Sequence, residues 1–141
     1  MGLNIVGDVK AELNVGEETF FESHPENDNN YMVVFEDDGD AGYFYALDKS
    51  CEKKIQEALH IYNVEGVADK AIPSDLIIAW SKDGTKSILI INDQAHAVLD
   101  FENKNGYCRS GFPPRDEKSV WSPNGHDWNE GNYNDILYGK K

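Results

Sequence analysis

The strongest constraint in this chain is a period of two. In Tyr31–Glu36, Tyr31, Val33 and Phe35 fall on one side and Met32 and Val34 on the other, and in Gly42–Asp48 Tyr43, Tyr45 and Leu47 alternate with Phe44 and Ala46. Successive side chains of a strand point to opposite faces, so both segments read as strands. Between them, Asp37-Asp38-Gly39-Asp40 is made of turn residues, and Gly39 can take a positive φ at no steric cost. The two strands and their turn predict a hairpin.

The same reasoning extends downstream. Leu76–Trp80, Lys86–Ile91, Ala95–Phe101 and Tyr107–Arg109 are separated by Ser81-Lys82-Asp83-Gly84, Asn92-Asp93-Gln94 and Asn103–Gly106, which predicts a four-strand meander. Ile77, Ile78, Ile90 and Ile91 put apolar groups on both faces, so those strands are expected at the centre and covered twice. Upstream, residues 16–30 are polar, acidic and interrupted by Pro25, with a short strand expected at Thr19–Glu22.

Between Lys49 and Asn63, Ile55, Ala58, Leu59 and Tyr62 recur at spacings of three and four, which predicts a short helix capped by Ser50 and covering one sheet face. Gly66 and Pro73 mark a connection. After Gly111, Pro113, Pro114 and Pro123 forbid long elements, leaving a tail that Trp121, Trp128, Tyr133 and Tyr138 dock onto the body, with a one-turn helix near Asn132–Leu137. The class predicted is α+β: a mainly antiparallel β-sheet, hairpin plus meander, with one short helix and an irregular C-terminal tail. At 141 residues the chain is expected to form a single domain, 1–141, which buries roughly two-thirds of its unfolded surface.

Charge narrows the function classes. The chain carries −13 at pH 7, and residues 1–50 hold 12 acidic against 2 basic side chains. Such a field repels nucleic acid and anionic lipid and draws cationic partners inward. Residues 1–8 have no basic, apolar leader pattern, and the longest apolar runs, Leu76–Trp80 and Ile88–Ile91, are far short of a membrane span. With only Cys51 and Cys108, a disulfide framework is not indicated, and a cytoplasmic location is expected.

No motif commits the chain to a reaction. The acidic turn has oxygen ligands suited to a hard cation, yet an EF-hand starting at Asp38 would have Tyr43 where glycine is needed, and one starting at Asp127 would have Asn132 there and Tyr138 at its twelfth position. A solvated turn is the expectation. His24, His60, His96 and His126 are isolated from one another, and neither cysteine lies in a thiol-catalysis signature. Arg109 is a candidate partner for the Asp37–Asp40 cluster or for an anionic ligand. Trp121 and Trp128, with Asn124, Asn129 and Asn132, are candidates for a sugar- or peptide-binding surface, although docking of the tail is the simpler explanation of the rings. No cofactor or metal is expected.

The segments VVFEDDGDAGYFYALD (33–48), ALHIYNV (58–64), LIIAWSKDG (76–84) and HAVLDFENKNGYCRSGFPP (96–114) resemble an uncharacterised bacterial family, domain of unknown function 2251. The resemblance implies a small bacterial cytoplasmic protein and carries no activity or site residue with it. From the residues themselves, the leading expectation is a non-enzymatic acidic binding module, antitoxin-like or immunity-protein-like, that meets a basic protein through Asp37, Asp38, Asp40, Tyr43, Tyr45, Arg109 and Trp121. The alternative is a small enzyme or ligand-binding domain with a pocket joining His60 or His96 with Asp100, Arg109 and a tryptophan.

Overall fold

The computed structural model describes residues 5–25, 30–52, 54–114, 120–123, 125–128, 131 and 133. Among these, nine strands follow one another: β1 (Ile5–Leu13), β2 (Thr19–Ser23), β3 (Tyr31–Asp37), β4 (Ala41–Asp48), β5 (Ile55–Asn63), β6 (Ser74–Ser81), β7 (Lys86–Ile91), β8 (Gln94–Asp100) and β9 (Asn105–Cys108). They form two antiparallel sheets. One has four strands in the order β2-β3-β4-β5, and the other has five in the order β1-β6-β7-β8-β9.

The alternation legible in the sequence decides which face of each sheet turns inward. Val33, Phe35, Phe44, Ala46 and Leu59 of the four-stranded sheet are fully buried, and they join one core with Leu76, Ile78, Leu89, Ala97 and Leu99 of the five-stranded sheet. Phe21, Phe35, Phe44 and Leu59 lie opposite one another across four strands, so a continuous apolar row spans that sheet. The result is a sandwich of two inner faces. Its aromatic end is built from Tyr31 stacked on Phe101 at 4.4 Å, Trp80 stacked on the same ring at 5.9 Å, and Trp121 meeting it edge-on at 5.5 Å.

The other face of the five-stranded sheet carries a second cluster, Ile88, Ala95, Val98 and Tyr107, over which Trp128 and Tyr133 of the C-terminal tail pack. The two-sided burial expected for the central strands is therefore present. Its covers are the hairpin sheet on one side and the tail on the other.

The helix expected between Lys49 and Asn63 is instead β5. Leu59 and Ile61 point into the core while Ala58 and His60 point out, a period of two that the apolar spacing of Ile55, Ala58, Leu59 and Tyr62 concealed. Pairing along β4, where Phe44 faces Leu59 and Tyr45 faces Ala58, outweighs a weak local preference for helix. Ser50 caps no helix: its N–H and hydroxyl donate to Asp48 at 3.0 and 2.6 Å, inside the turn that Asp48 N–H closes onto the Lys54 carbonyl. Among the described residues 5–114, helical structure amounts to the 3₁₀ turn Val64–Gly66. The helix expected near Asn132–Leu137 lies, but for Tyr133, outside the described residues.

The hairpin and meander stand where expected, and the short strand at Thr19–Glu22 is β2. Strand β1 had no clear pattern, because Gly7 and Asp8 interrupt its apolar residues; the register with β6 slips between Gly7 and Val9, so a bulge absorbs the break.

One close approach constrains the whole hairpin sheet. Gly42 lies opposite Asp37 on one side and Tyr62 on the other, and the Tyr62 ring occupies the space a side chain would need: a Cβ at Gly42 would sit 2.6 Å from it. Substituting Gly42→Ala is therefore expected to lower stability by about 2 kcal/mol, because the ring must leave its place. Urea denaturation checks this, and an unchanged midpoint would refute it.

Candidate functional site

The acidic turn divides by burial. The turn was expected to stay solvated, but the Asp37 side chain is fully buried at the end of β3. Its carboxylate accepts hydrogen bonds from the Tyr62 hydroxyl at 2.7 Å, Gly16 N–H at 2.8 Å and Gly39 N–H at 2.9 Å. Three donors from three chain segments converge on one charge, which is what makes its burial tolerable. In the pair, burial foremost and then the hydrogen bond to Asp37 push the Tyr62 phenol well above its ordinary value. Asp37 is thus a structural clamp between the β1–β2 connection, the hairpin turn and β5.

Asp38 and Asp40 are exposed. Asp38 accepts from the Asp40 and Ala41 N–H groups, both at 2.9 Å, and these bonds hold its carboxyl below the usual carboxylate range. Both charges stand at the rim of the outer face of the hairpin sheet.

That outer face is unusually apolar for an exposed surface. Cross-strand register places Phe20, Glu36, Tyr43 and His60 in one row, Glu22, Val34, Tyr45 and Ala58 in the next, and Met32, Leu47 and Ile55 in a third. Tyr43 stacks on Tyr45 at 5.9 Å and tilts against His60 at 5.2 Å, while the Tyr45 hydroxyl donates to Glu36 at 2.9 Å. Desolvation, reinforced by that carboxylate, raises the Tyr45 phenol far above its normal range, so the hydroxyl stays a donor. His60 pairs with Phe112 in an isolated antiparallel bridge that extends the row by one residue. Phe20, Ile55 and Phe112 are 61%, 48% and 55% exposed.

The remaining expected residues go elsewhere. Trp121 is buried against Phe101, so it anchors the tail. Arg109 lies 4.6 Å above the Trp128 ring and donates through Nε to the Ala95 carbonyl, on the five-stranded sheet. His96 is beside it; burial, and next the Arg109 charge, lower its tendency to protonate. Asp100 belongs to a different network, accepting from Asn103 N–H at 3.1 Å and Asn103 Nδ2 at 2.9 Å and lying 4.0 Å from Lys86. Asn124, Asn129 and Asn132 fall outside the described residues. Among the described residues, no three His, Cys, Asp or Glu side chains gather as metal ligands would.

One cluster escaped sequence reasoning. Glu57 of β5 accepts from the Ser122 hydroxyl at 2.5 Å, and the same Oε2 atom lies 2.9 Å from His126 Nε2. Its three members are 65 and 69 residues apart in the chain, so no local spacing announces them. Ser122 and His126 are 1% and 4% exposed. The acid sits between serine and histidine, so histidine has no direct hold on the hydroxyl and the order needed for a serine nucleophile is missing. Gly106 N–H also donates to Ser122 Oγ at 2.8 Å, which makes the cluster a bond between β5, β9 and the tail.

Comparison with known proteins agrees in kind. A family model described as an uncharacterized protein conserved in bacteria, domain of unknown function 2251, matches residues 13–137. An uncharacterized protein of Haemophilus influenzae is 37% identical over 115 residues, covering 81% of this chain and 71% of that relative. No solved structure matches.

The division of the acidic turn is directly measurable. Asp37→Ala leaves three partly buried donors without their acceptor and is expected to cost on the order of 3 kcal/mol in chemical denaturation, whereas Tyr62→Phe removes one bond and costs about 1 kcal/mol. Equal stability of Asp37→Ala and the parent chain would show that the clamp is not structural.

Proposed function

We propose that this chain, which belongs to the uncharacterised bacterial family domain of unknown function 2251, is a non-enzymatic binding module that meets a basic protein through the outer face of its hairpin sheet. The observation that carries the reading is the juxtaposition of half-buried Tyr43, Tyr45, Val34 and Met32 with exposed Phe20, Ile55 and Phe112, with Glu36 between Phe20 and Tyr43 and with Glu22, Asp38 and Asp40 at the edge. Contiguous apolar surface of this kind marks interaction sites on soluble proteins. Aromatic anchors supply contact area at the centre of an interface, and the carboxylates at its edge set the sign of the partner.

Lysine and arginine side chains suit this surface in two ways. Their charges complement the rim, and their cationic heads stack on the faces of Tyr43 and Tyr45. The chain's charge of −13 adds long-range attraction, which speeds encounter at low salt. An acidic protein that covers a basic surface in this manner acts as an inhibitor, in the way of an antitoxin or immunity protein. The free thiols Cys51 and Cys108 suit a reducing, cytoplasmic setting.

The enzymatic alternative has less support. His96, Arg109 and Trp128 do lie together, but Asp100 is occupied by Asn103 and Lys86 and Trp121 is enclosed in the core, so the carboxylate that the alternative requires serves a separate network.

Affinity capture followed by a binding titration tests the proposal. A basic protein is expected to be retained by the parent chain and weakened about 30-fold by Tyr43→Ala, a loss typical of an aromatic anchor. Joint replacement of Asp38 and Asp40 by Asn should mainly slow association and flatten its salt dependence. A partner bound equally by the parent and a Tyr43→Ala/Tyr45→Ala variant would overturn the assignment of this face.

A further inference from the structure

The two sheets meet along two seams, and the seam between β5 and β9 is closed by the tail. His60 N–H donates to the Phe112 carbonyl at 2.9 Å on the β5 side, and Cys108 N–H donates to the His126 carbonyl at 3.0 Å on the β9 side, where Asp127 forms a parallel bridge with Cys108. Both sheet edges are thereby covered by the chain that follows β9.

Besides these backbone bonds and the packing of Trp121 on Phe101 and Trp128 on Tyr107, the cover is fastened through one titratable side chain. His126 Nδ1 faces the Pro113 carbonyl at 2.5 Å, and a carbonyl is an acceptor, so Nδ1 carries a hydrogen. Nε2 faces Glu57 Oε2 at 2.9 Å, which also receives the Ser122 hydroxyl. A proton must lie between Nε2 and Oε2. Without it, a ring lone pair would confront a carboxylate oxygen in a joint where His126 is buried and Glu57 is nearly so.

We infer that this single proton, held between Glu57 and His126, locks the strap that carries Trp121, Ser122, His126 and Trp128 across the β5–β9 seam, and that its loss at alkaline pH releases the strap while both sheets remain folded. The inference stands on this geometry and is independent of the proposed binding face. The groups that act on His126 are Glu57 from β5, Asp127 from the strap itself and the Pro113 carbonyl from the segment after β9, and Ser122 of the strap donates to the same Glu57 carboxylate. The Cys108 thiol is buried at the seam, against Ser110 and the His60 and Phe112 carbonyls, and the backbone N–H of the same residue bonds to the strap at the His126 carbonyl. Its exposure reports release.

The sign follows from the charges. Burial disfavours the imidazolium, but the bonds to Glu57 and Pro113 and the charges of Glu57 and Asp127 prevail, so His126 holds its proton more strongly than an ordinary histidine. A histidine bound this way favours the closed strap fully below about pH 6.5, its ordinary value, and the advantage fades as pH rises to the raised value. Across that window the closed-to-open ratio falls about tenfold per pH unit.

The experiment uses the full chain with Cys51→Ser, so that Cys108 is the labelled thiol. Its alkylation rate is divided by that of the denatured chain at the same pH, which removes the intrinsic reactivity of the thiolate. Protection is expected to fall with the stated slope as pH rises above about 6.5, while far-ultraviolet circular dichroism stays constant. In Glu57→Gln a neutral amide can donate to Nε2, so protection should become independent of pH. Should that variant fail to fold, the histidine ring resonances of the parent give the second readout, with His126 titrating above about 6.5. Flat protection in the parent, an unchanged pH dependence in Glu57→Gln, His126 titrating at or below its ordinary value, or loss of circular dichroism in step with labelling would each overturn the inference.

Discussion

Each sheet of this protein has one strongly apolar face, and the rest of the structure follows from the need to press those faces together. Phe35, Phe44 and Leu59 on one side and Ile78, Leu89 and Leu99 on the other exclude water from the middle of the sandwich. Apolar contact is non-directional, and by itself it would let two sheets slide or splay. The polar bonds at the margins supply direction.

Those bonds have the same design at both seams. Where β1 and β2 meet, the Trp80 indole N–H donates to the Ser23 hydroxyl at 2.9 Å, and Ser23 donates to Asp8 at 2.7 Å, so a serine ties the two sheets. Where β5 and β9 meet, Ser122 performs the corresponding task between Gly106 and Glu57. A buried hydroxyl suits this place because it can accept from one side and donate to the other. The difference is that the second seam is closed by a segment distant in sequence and fastened through a histidine, which brings a titratable group into an otherwise fixed joint.

The outer faces differ for a related reason. The tail lays Trp128 and Tyr133 over the five-stranded sheet and turns its outer face into a second core. The outer face of the hairpin sheet carries aromatic residues of the same kind, yet Phe20 and Ile55 on it remain exposed. Carboxylates occupy its margin, which keeps such a surface soluble and restricts what it can meet. The acidic turn thus serves two ends: Asp37 locks the hairpin from within, and Asp38 and Asp40 charge its rim.

Seven of the nine strands were legible because alternation and turn chemistry are local properties, written within stretches of a few residues from Thr19 to Cys108. The exceptions were β1, whose pattern Gly7 and Asp8 break, and β5, whose apolar residues fit a helix until β4 offers a partner strand. Tyr43 and Tyr45 could be singled out, with Asp38 and Asp40, from the alternation beside an acidic turn. Asp37 could not be told from its neighbours, since its burial depends on Tyr62 and Gly16 arriving from elsewhere. By itself the amino-acid order determined the pleated, mainly antiparallel character of the chain, its charge and the location of its turns. Only the tertiary structure decided that β5 is a strand, which carboxylate lies inside, and that Glu57, Ser122 and His126 meet, because each of these depends on contacts between residues brought together by folding.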